Sequence, residues 1–345
     1  LGAALRKKPH ELMFRNLYIL LFGLFFLCLL RTPGPAQQLP LFSIYRENQG
    51  LLNPASIHPD FLLYHESYPL SIGVTHRSQW VGSAGKTATQ SLRGTFIGVG
   101  ESSFAPLAGL YLINDKVGPT SFTGFYGRVA SIFGLEHPNF GGFSIGLNFG
   151  LVQFRIETSE IDLLDPDDIL GQNDQSQWHP DVGLGVFYYK NIESHRAETA
   201  LVYAGVSAAQ LIGLDLTFTG DKGEFPFTRN PHFYALAGVY KFLDDFSFLE
   251  FSTWTRFVRH TPLDVDLNVR FQNRQKFWIG GGGSLSGNLH AEFGVYLLHL
   301  LETGNRGDPP LVKLSAGFDY GVIQYHDQVG KSFEVNLSVL PGWEY

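Results

Sequence analysis

The feature that most constrains this chain is strict two-residue alternation of polarity. Leu263, Val265, Leu267, Val269 and Phe271 share one face of an extended segment, while Asp264, Asp266, Asn268 and Arg270 share the other. Side chains of a strand point alternately to opposite sides, so this segment has an apolar wall and a charged wall. Phe333, Val335, Leu337 and Val339 repeat the pattern against Glu334, Asn336 and Ser338. So do Val312, Leu314, Ala316, Phe318 and Tyr320 against Lys313, Ser315, Gly317 and Asp319. None of these follows a helical period.

About fourteen such runs are expected, near 70–80, 87–96, 107–115, 120–132, 143–156, 179–189, 197–207, 232–242, 246–257, 262–271, 276–284, 290–298, 311–320 and 332–340. An even number of strands of about ten residues suits a bacterial outer-membrane barrel. A large soluble β-sandwich shows the same alternation, but composition weighs against it. Only 17% of the 345 residues are charged, against 39 Gly, 30 Phe and 15 Tyr. Soluble domains carry about 25% charged residues. Mean hydropathy is nevertheless close to zero, because outward apolar residues are offset by inward polar ones. Trp80, Trp178, Trp254 and Trp278 fall near strand ends, where interfacial girdles are expected. The fold class is therefore all-β: a transmembrane antiparallel β-barrel of about 14 strands over residues 70–345.

Residues 1–36 have the layout of a secretory signal peptide: Arg15, the apolar run Leu17 to Leu30, then Gly34-Pro35-Ala36 as a cleavage site. The run is shorter than the roughly 20 residues of a spanning helix. Met13 is the single methionine, which offers an alternative start with residues 1–12 upstream. Cys28, the single cysteine, lies in the apolar run behind Leu27, which disfavours lipidation. Removing 1–36 takes away Arg6, Lys7, Lys8, Arg15, Arg31 and one acid, Glu11. That leaves 20 basic against 31 acidic side chains, a net charge of −11, which argues against a nucleic-acid partner. Residues 37–69 are poorly strand-like, with Asn53-Pro54 and His58-Pro59. They are assigned as a plug for the lumen or an arm toward periplasmic partners.

If the chain enters from the periplasm, odd-numbered connections are extracellular. The longest, 157–178 and 208–231, fall outside, as expected for such barrels. The connection 299–310 is a fairly long periplasmic exception. On the inward faces lie Glu250, Arg256, Asp264, Asp266, Arg270, Glu292, Lys313, Asp319 and Glu334. They read as a solvated or salt-bridged lumen, with channel selectivity as the sharper alternative. No Ser, His and Asp set stands out as a catalytic triad. Asp162, Asp165, Asp167, Asp168, Asn173 and Asp174 make an oxygen-rich loop without EF-hand spacing. The His residues show no metal-binding pair, so neither a metal nor a cofactor is expected. The run Gly280 to Gly283 has no following Lys-Ser/Thr and reads as close backbone approach within a strand.

Several motifs occur together. These are Asn53-Pro54-Ala55, then Arg77-Ser78-Gln79-Trp80-Val81-Gly82 followed by Lys86-Thr87 and Gln90-Ser91-Leu92, and Ile113-Asn114-Asp115-Lys116-Val117-Gly118-Pro119-Thr120 ahead of Tyr126. Pro180-Asp181-Val182-Gly183-Leu184-Gly185, Pro262-Leu263-Asp264-Val265-Asp266 and Phe277-Trp278-Ile279-Gly280 complete the set. In this order they resemble the PorP/SprF family of Bacteroidetes type IX secretion outer-membrane proteins. One element departs: Gly317-Phe318-Asp319-Tyr320 stands where the family shows Gly-Tyr-x-Tyr-Asp. The resemblance implies a non-enzymatic barrel that docks or anchors exported surface proteins, including gliding adhesins. Its partners would be cargo with a type IX C-terminal signal domain, or periplasmic subunits of the secretion machine. The two neighbouring outer turns, with Arg77, Gln79, Trp80 and Gly82 on one and Asn114, Asp115, Lys116, Gly118 and Pro119 on the other, read either as well-specified hairpins and nothing more or as part of a docking rim for a secreted partner. A diffusion channel or hydrophobic-substrate transporter is the rival reading.

Overall fold

In the computed structural model the alternating runs are strands. The structure describes residues 42–64, 67–81, 87–98, 102–157, 175–194, 197–212, 215–220, 223–228, 230–244, 247–259, 261–273, 276–297, 310–322 and 331–342. The first seven strands are β1 (Leu70–Val81), β2 (Thr87–Ile97), β3 (Phe104–Val117), β4 (Thr120–Gly134), β5 (Gly141–Ile156), β6 (Gln175–Ser194) and β7 (Ala197–Ala209). A short hairpin follows, β8 (Asp215–Gly220) and β9 (Gly223–Thr228). The series resumes with β10 (His232–Asp244), β11 (Ser247–Val258), β12 (Asp264–Asn273), β13 (Phe277–Ser284), β14 (Asn288–Tyr296), β15 (Leu311–Gly321) and β16 (Lys331–Leu340).

Fourteen of these strands form one closed antiparallel barrel, and β8 with β9 forms a separate two-stranded sheet. β7 pairs directly with β10, Leu236 opposite Gly205. β1 closes the ring on β16, Ile72 opposite Val339 and Arg77 opposite Glu334. Closure pairs every wall strand on both sides, which a chain in lipid requires because no water is there to satisfy an open edge. All fourteen expected strands are present. The β8–β9 hairpin lies in what reads from sequence as a plain connection. Its six-residue strands fall short of the nine to eleven or so that span a bilayer, and β9 carries Pro226 opposite Thr217.

The outer wall is apolar, with Leu110, Leu147, Phe149, Leu267 and Ile279 among its exposed side chains. The inner wall is polar. Counted in sequence, long connections join β5 to β6 and β7 to β10 at one end, and short ones join β6 to β7, β10 to β11 and β12 to β13 at the other, where β1 begins and where the β14–β15 connection is a longer exception. Longer connections face the cell exterior in such barrels, so the first end is the outer mouth.

Two of the four tryptophans assigned to an interfacial girdle are elsewhere. Trp254 (3% exposed) and Trp278 (1%) point into the barrel, while Trp178 (53%) lies on the outer wall against Phe125. Trp254 shares the inward set of β11 with Glu250 and Ser252. Strand parity, not nearness to an end, decides which face a side chain joins.

What Trp254 packs on is the N-terminal segment. Residues 42–64 carry a 3-10 turn (Tyr45–Asn48) and two short helices, α1 (Gln49–Leu52) and α2 (Pro59–Tyr64). Nearly every residue from Phe42 to Leu63 is buried, and its partners are inward side chains of the strands. Consecutive polar residues from Arg46 to Gln49 break strand alternation, and Pro59 suits the first turn of a helix. Helices of four and six residues are too short to persist alone. The surrounding wall holds them.

Candidate functional site

The interface between this segment and the lumen is built from three polar anchors. The first is Arg46. Its Nε lies 2.8 Å from Glu250 Oε2 and its Nη1 3.0 Å from Glu292 Oε1. Arg270 Nε approaches the same Glu250 oxygen at 3.0 Å, and Tyr203 donates its hydroxyl to Glu250 at 2.7 Å. Tyr45 stacks on Trp254 with ring centroids 5.2 Å apart and donates to Ser252 at 2.8 Å. Burial pushes the Tyr45 phenol up to about 12.

The second anchor is acidic. Glu47 pairs with Arg93 and accepts from Lys313 Nζ at 2.8 Å, while Asp60 takes the same ammonium at 2.5 Å. His58 Nδ1 lies 2.9 Å from Asp60. Burial alone would raise both carboxyls, but the cations beside them prevail. Lys313 and Arg93 hold Glu47 well below its ordinary range, and Lys313 with His58 lowers Asp60. Withdrawing an ion from water costs several kcal/mol even after relaxation, so these charges are tolerable only as pairs.

At the third anchor, near the outer mouth, the Ser43 amide donates to Glu334 Oε2 at 2.6 Å. Arg77 Nη1 reaches Asp319 at 2.6 Å and Glu334 at 3.2 Å.

Between the anchors the segment runs against bare wall. Asn53 Nδ2 donates to the Val186 carbonyl at 3.1 Å, and its side-chain oxygen accepts the Ala55 amide at 2.9 Å. A Cβ at Gly146 would stand 2.5 Å from the Pro54 carbonyl carbon, and one at Gly185 would overlap Asn53. The Asn53-Pro54-Ala55 and Pro180-to-Gly185 motifs, over a hundred residues apart in sequence, therefore meet inside the barrel. Arg128 donates to the Ser56 carbonyl at 3.1 Å, and Ser207 to that of Leu52 at 2.7 Å.

The nine charges expected on the inward faces divide by whether they serve the N-terminal segment. Glu250, Arg270, Glu292, Lys313, Asp319 and Glu334 belong to the anchors. Arg256, Asp264 and Asp266 lie toward the outer mouth, where Arg256 pairs with Asp264 and Asp266 accepts from Asn268 at 2.6 Å. Sequence reasoning missed Arg46, Glu47, Asp60, Arg93 and Arg128. The last two occupy inward positions of alternating strands and could have been found by parity. The first three lie outside any periodic run and carried no such signal.

The two expected rim turns are less exposed than their sequence suggests. Arg77, Gln79 and Asp115 are buried on the inward face, and Asp115 accepts a 2.5 Å hydrogen bond from Thr89. Parity places them there, so they are not surface contacts. On the outer side, Asn114 donates to Thr123 at 2.8 Å and Lys116 to Glu157 at 2.8 Å. Gly118, next to Pro119, takes φ +57°. Trp80 has φ +54° at a register shift between Ser78 and Val81. A left-handed backbone is costly for a bulky side chain. Gly82 and the acidic residues Asp162 to Asp174 lie outside the described residues. Among the described residues, no three His, Cys, Asp or Glu side chains gather to hold a metal ion.

Comparison with solved structures returns outer-membrane barrels. The chain is similar to the CymD monoaromatic hydrocarbon channel (TM-score 0.47, 12% identity, covering 88% of this chain and 94% of that one). It is similar to a Pseudomonas aeruginosa FadL homologue (0.48, 8%, 90% and 96%) and to the translocator domain of the autotransporter NalP from Neisseria meningitidis (0.45, 12%, 79% and 87%). No curated protein matches the chain. The model of the type IX secretion system membrane protein PorP/SprF family matches residues 35–339. With its closed wall and apolar exterior, the protein is an integral outer-membrane barrel, and it belongs to the PorP/SprF family of type IX secretion system membrane proteins.

Proposed function

We propose that this barrel docks or anchors exported surface proteins during type IX secretion. The observation that carries the reading is the occupied lumen. Residues 42–64 occupy it and are tied by ion pairs to β2, β11, β14 and β15 and by hydrogen bonds of Ser43 to β1 and β16. A diffusion channel needs a free path, and a wall whose charges are consumed by an internal segment is poorly suited to conduct. The outer turns around Trp80 and Gly118-Pro119 are then the surface on offer. Partners of the expected class are exported proteins with a type IX C-terminal signal domain, or periplasmic secretion subunits. The role asked of the barrel is binding, with no chemical step.

The test is a mild-detergent pull-down of the tagged protein from native outer membranes, read by mass spectrometry. Stoichiometric recovery of an exported protein with that signal domain, or of periplasmic secretion subunits, supports docking. A solitary barrel with no partner at stoichiometric level overturns it.

A further inference from the structure

We infer that the chain threads its own barrel from the outer mouth inward, so that Phe42 stands at the extracellular end and Tyr64 at the periplasmic end. The expectation for a chain whose first strand starts at the periplasmic end is the opposite: an arm that hangs into the periplasm. The contacts at the two ends of the segment decide against it.

At its start, Ser43 bonds Glu334, and Arg77 links that carboxylate to Asp319. Asp319 lies two residues from the end of β15 at Gly321, the end that faces the outer mouth. Phe42 borders a small cavity of about 40 Å³ with Ile113, Phe122 and Tyr234. Phe122 and Tyr234 are each two residues inside the outer ends of β4 and β10, which start at Thr120 and His232. At the other end, Tyr64 contacts the hydroxyl of Tyr296, and Gln272 donates to both tyrosines. Tyr296 is the last residue of β14 and pairs with Lys313, while Asp319 pairs with His290. The six-residue step from Asp319 down to Lys313 is about 20 Å along the strand, or on the order of 15 Å along the axis of a tilted barrel.

The segment therefore crosses most of the lumen, entering beside the outer turns and leaving beside the start of β1. Gln38, four residues before Phe42, is within about 15 Å of the outer mouth by chain length alone. This goes beyond the docking reading and holds whether or not a partner binds.

Thiol labelling on intact cells tests it in the full-length protein. With Cys28→Ser as background, Gln38→Cys is compared with Ser286→Cys in the β13–β14 turn at the outer end and Ser194→Cys at the inner end of β6. A membrane-impermeant maleimide is expected to label Gln38→Cys and Ser286→Cys on intact cells, and Ser194→Cys only after permeabilisation. Labelling of Gln38→Cys only after permeabilisation overturns the threading. The two control sites report the barrel's orientation separately, and reversal of both also overturns it. If the thiol at 38 is shielded in both conditions, an epitope inserted between Gln38 and Leu39 decides. Antibody staining of intact cells supports threading, and staining only of permeabilised cells refutes it.

Discussion

Glu47 and Lys313 are separated by 266 residues of sequence and meet at 2.8 Å inside the barrel. Lys313 is shared with Asp60, so one ammonium bridges two carboxylates from different turns of the 3-10 and helical segment. The first strand follows that segment directly, and the penultimate strand supplies its counter-ion. This contact ties the segment to the strand beside the one that closes the barrel.

Lys313→Met leaves Glu47 and Asp60 short of a cation. Removing one partner of a buried pair costs about 3–5 kcal/mol, so the N-terminal segment is expected to undock while the wall persists. Trypsin cleavage after Arg46 in the detergent-solubilised protein is the readout. Cleavage is expected in the variant and absent in the wild type. Equal resistance would show that the anchor is dispensable.

Acid should release the same contact. Glu47 and Asp60 both titrate below their ordinary values of 4.5 and 3.8. Groups with depressed folded values stabilise fully above the unfolded pKa, and that contribution is lost as pH falls through the folded one. The contribution of this anchor is therefore complete at neutral pH and lost progressively below about pH 4. Trp254, stacked on Tyr45, gives a fluorescence report of the loss while the far-UV strand signal stays.

Two glycines separate close approach from mere strand position. Gly146→Ala drives a methyl against the Pro54 carbonyl, whereas nothing lies within 4 Å of a Cβ at Gly94. Overpacking of this kind costs about 1–3 kcal/mol, so Gly146→Ala is expected to lower the thermal midpoint and Gly94→Ala to leave it unchanged. Equal effects would mean that the inner wall at β5 is not shaped by the segment.

Trp80 sits at φ +54°, where glycine carries no penalty. Trp80→Gly should assemble at least as well as the wild type, by heat-modified mobility. If the outer turn docks a partner, the variant loses roughly tenfold in retention, about 1.4 kcal/mol. Unchanged retention in an assembled barrel removes Trp80 from the docking surface.

The wall was legible in the sequence, and of its contents only that residues 37–69 could plug it. Alternation from Leu263 to Phe271 matches β12 within two residues at either end, because each spanning strand must keep one face for lipid. The same alternation leaves open which inward residues meet. Arg77 and Glu334 face each other only because β1 closes on β16. Trp254 and Trp278 look like girdle residues until parity turns them inward. The segment 42–64 has neither period, since its short turns are imposed by the wall, so Arg46 and Glu47 carried no visible sign of their partners. The motifs Asn53-Pro54-Ala55 and Pro180 to Gly185 are far apart in sequence, and only the fold brings them into contact.

The account stands most directly on the occupied lumen, and single-channel recording of the purified wild-type barrel in planar bilayers tests it. The prediction is a quiet membrane, with no large steady openings at neutral pH. Sustained openings of porin-like size would contradict the account and favour a channel.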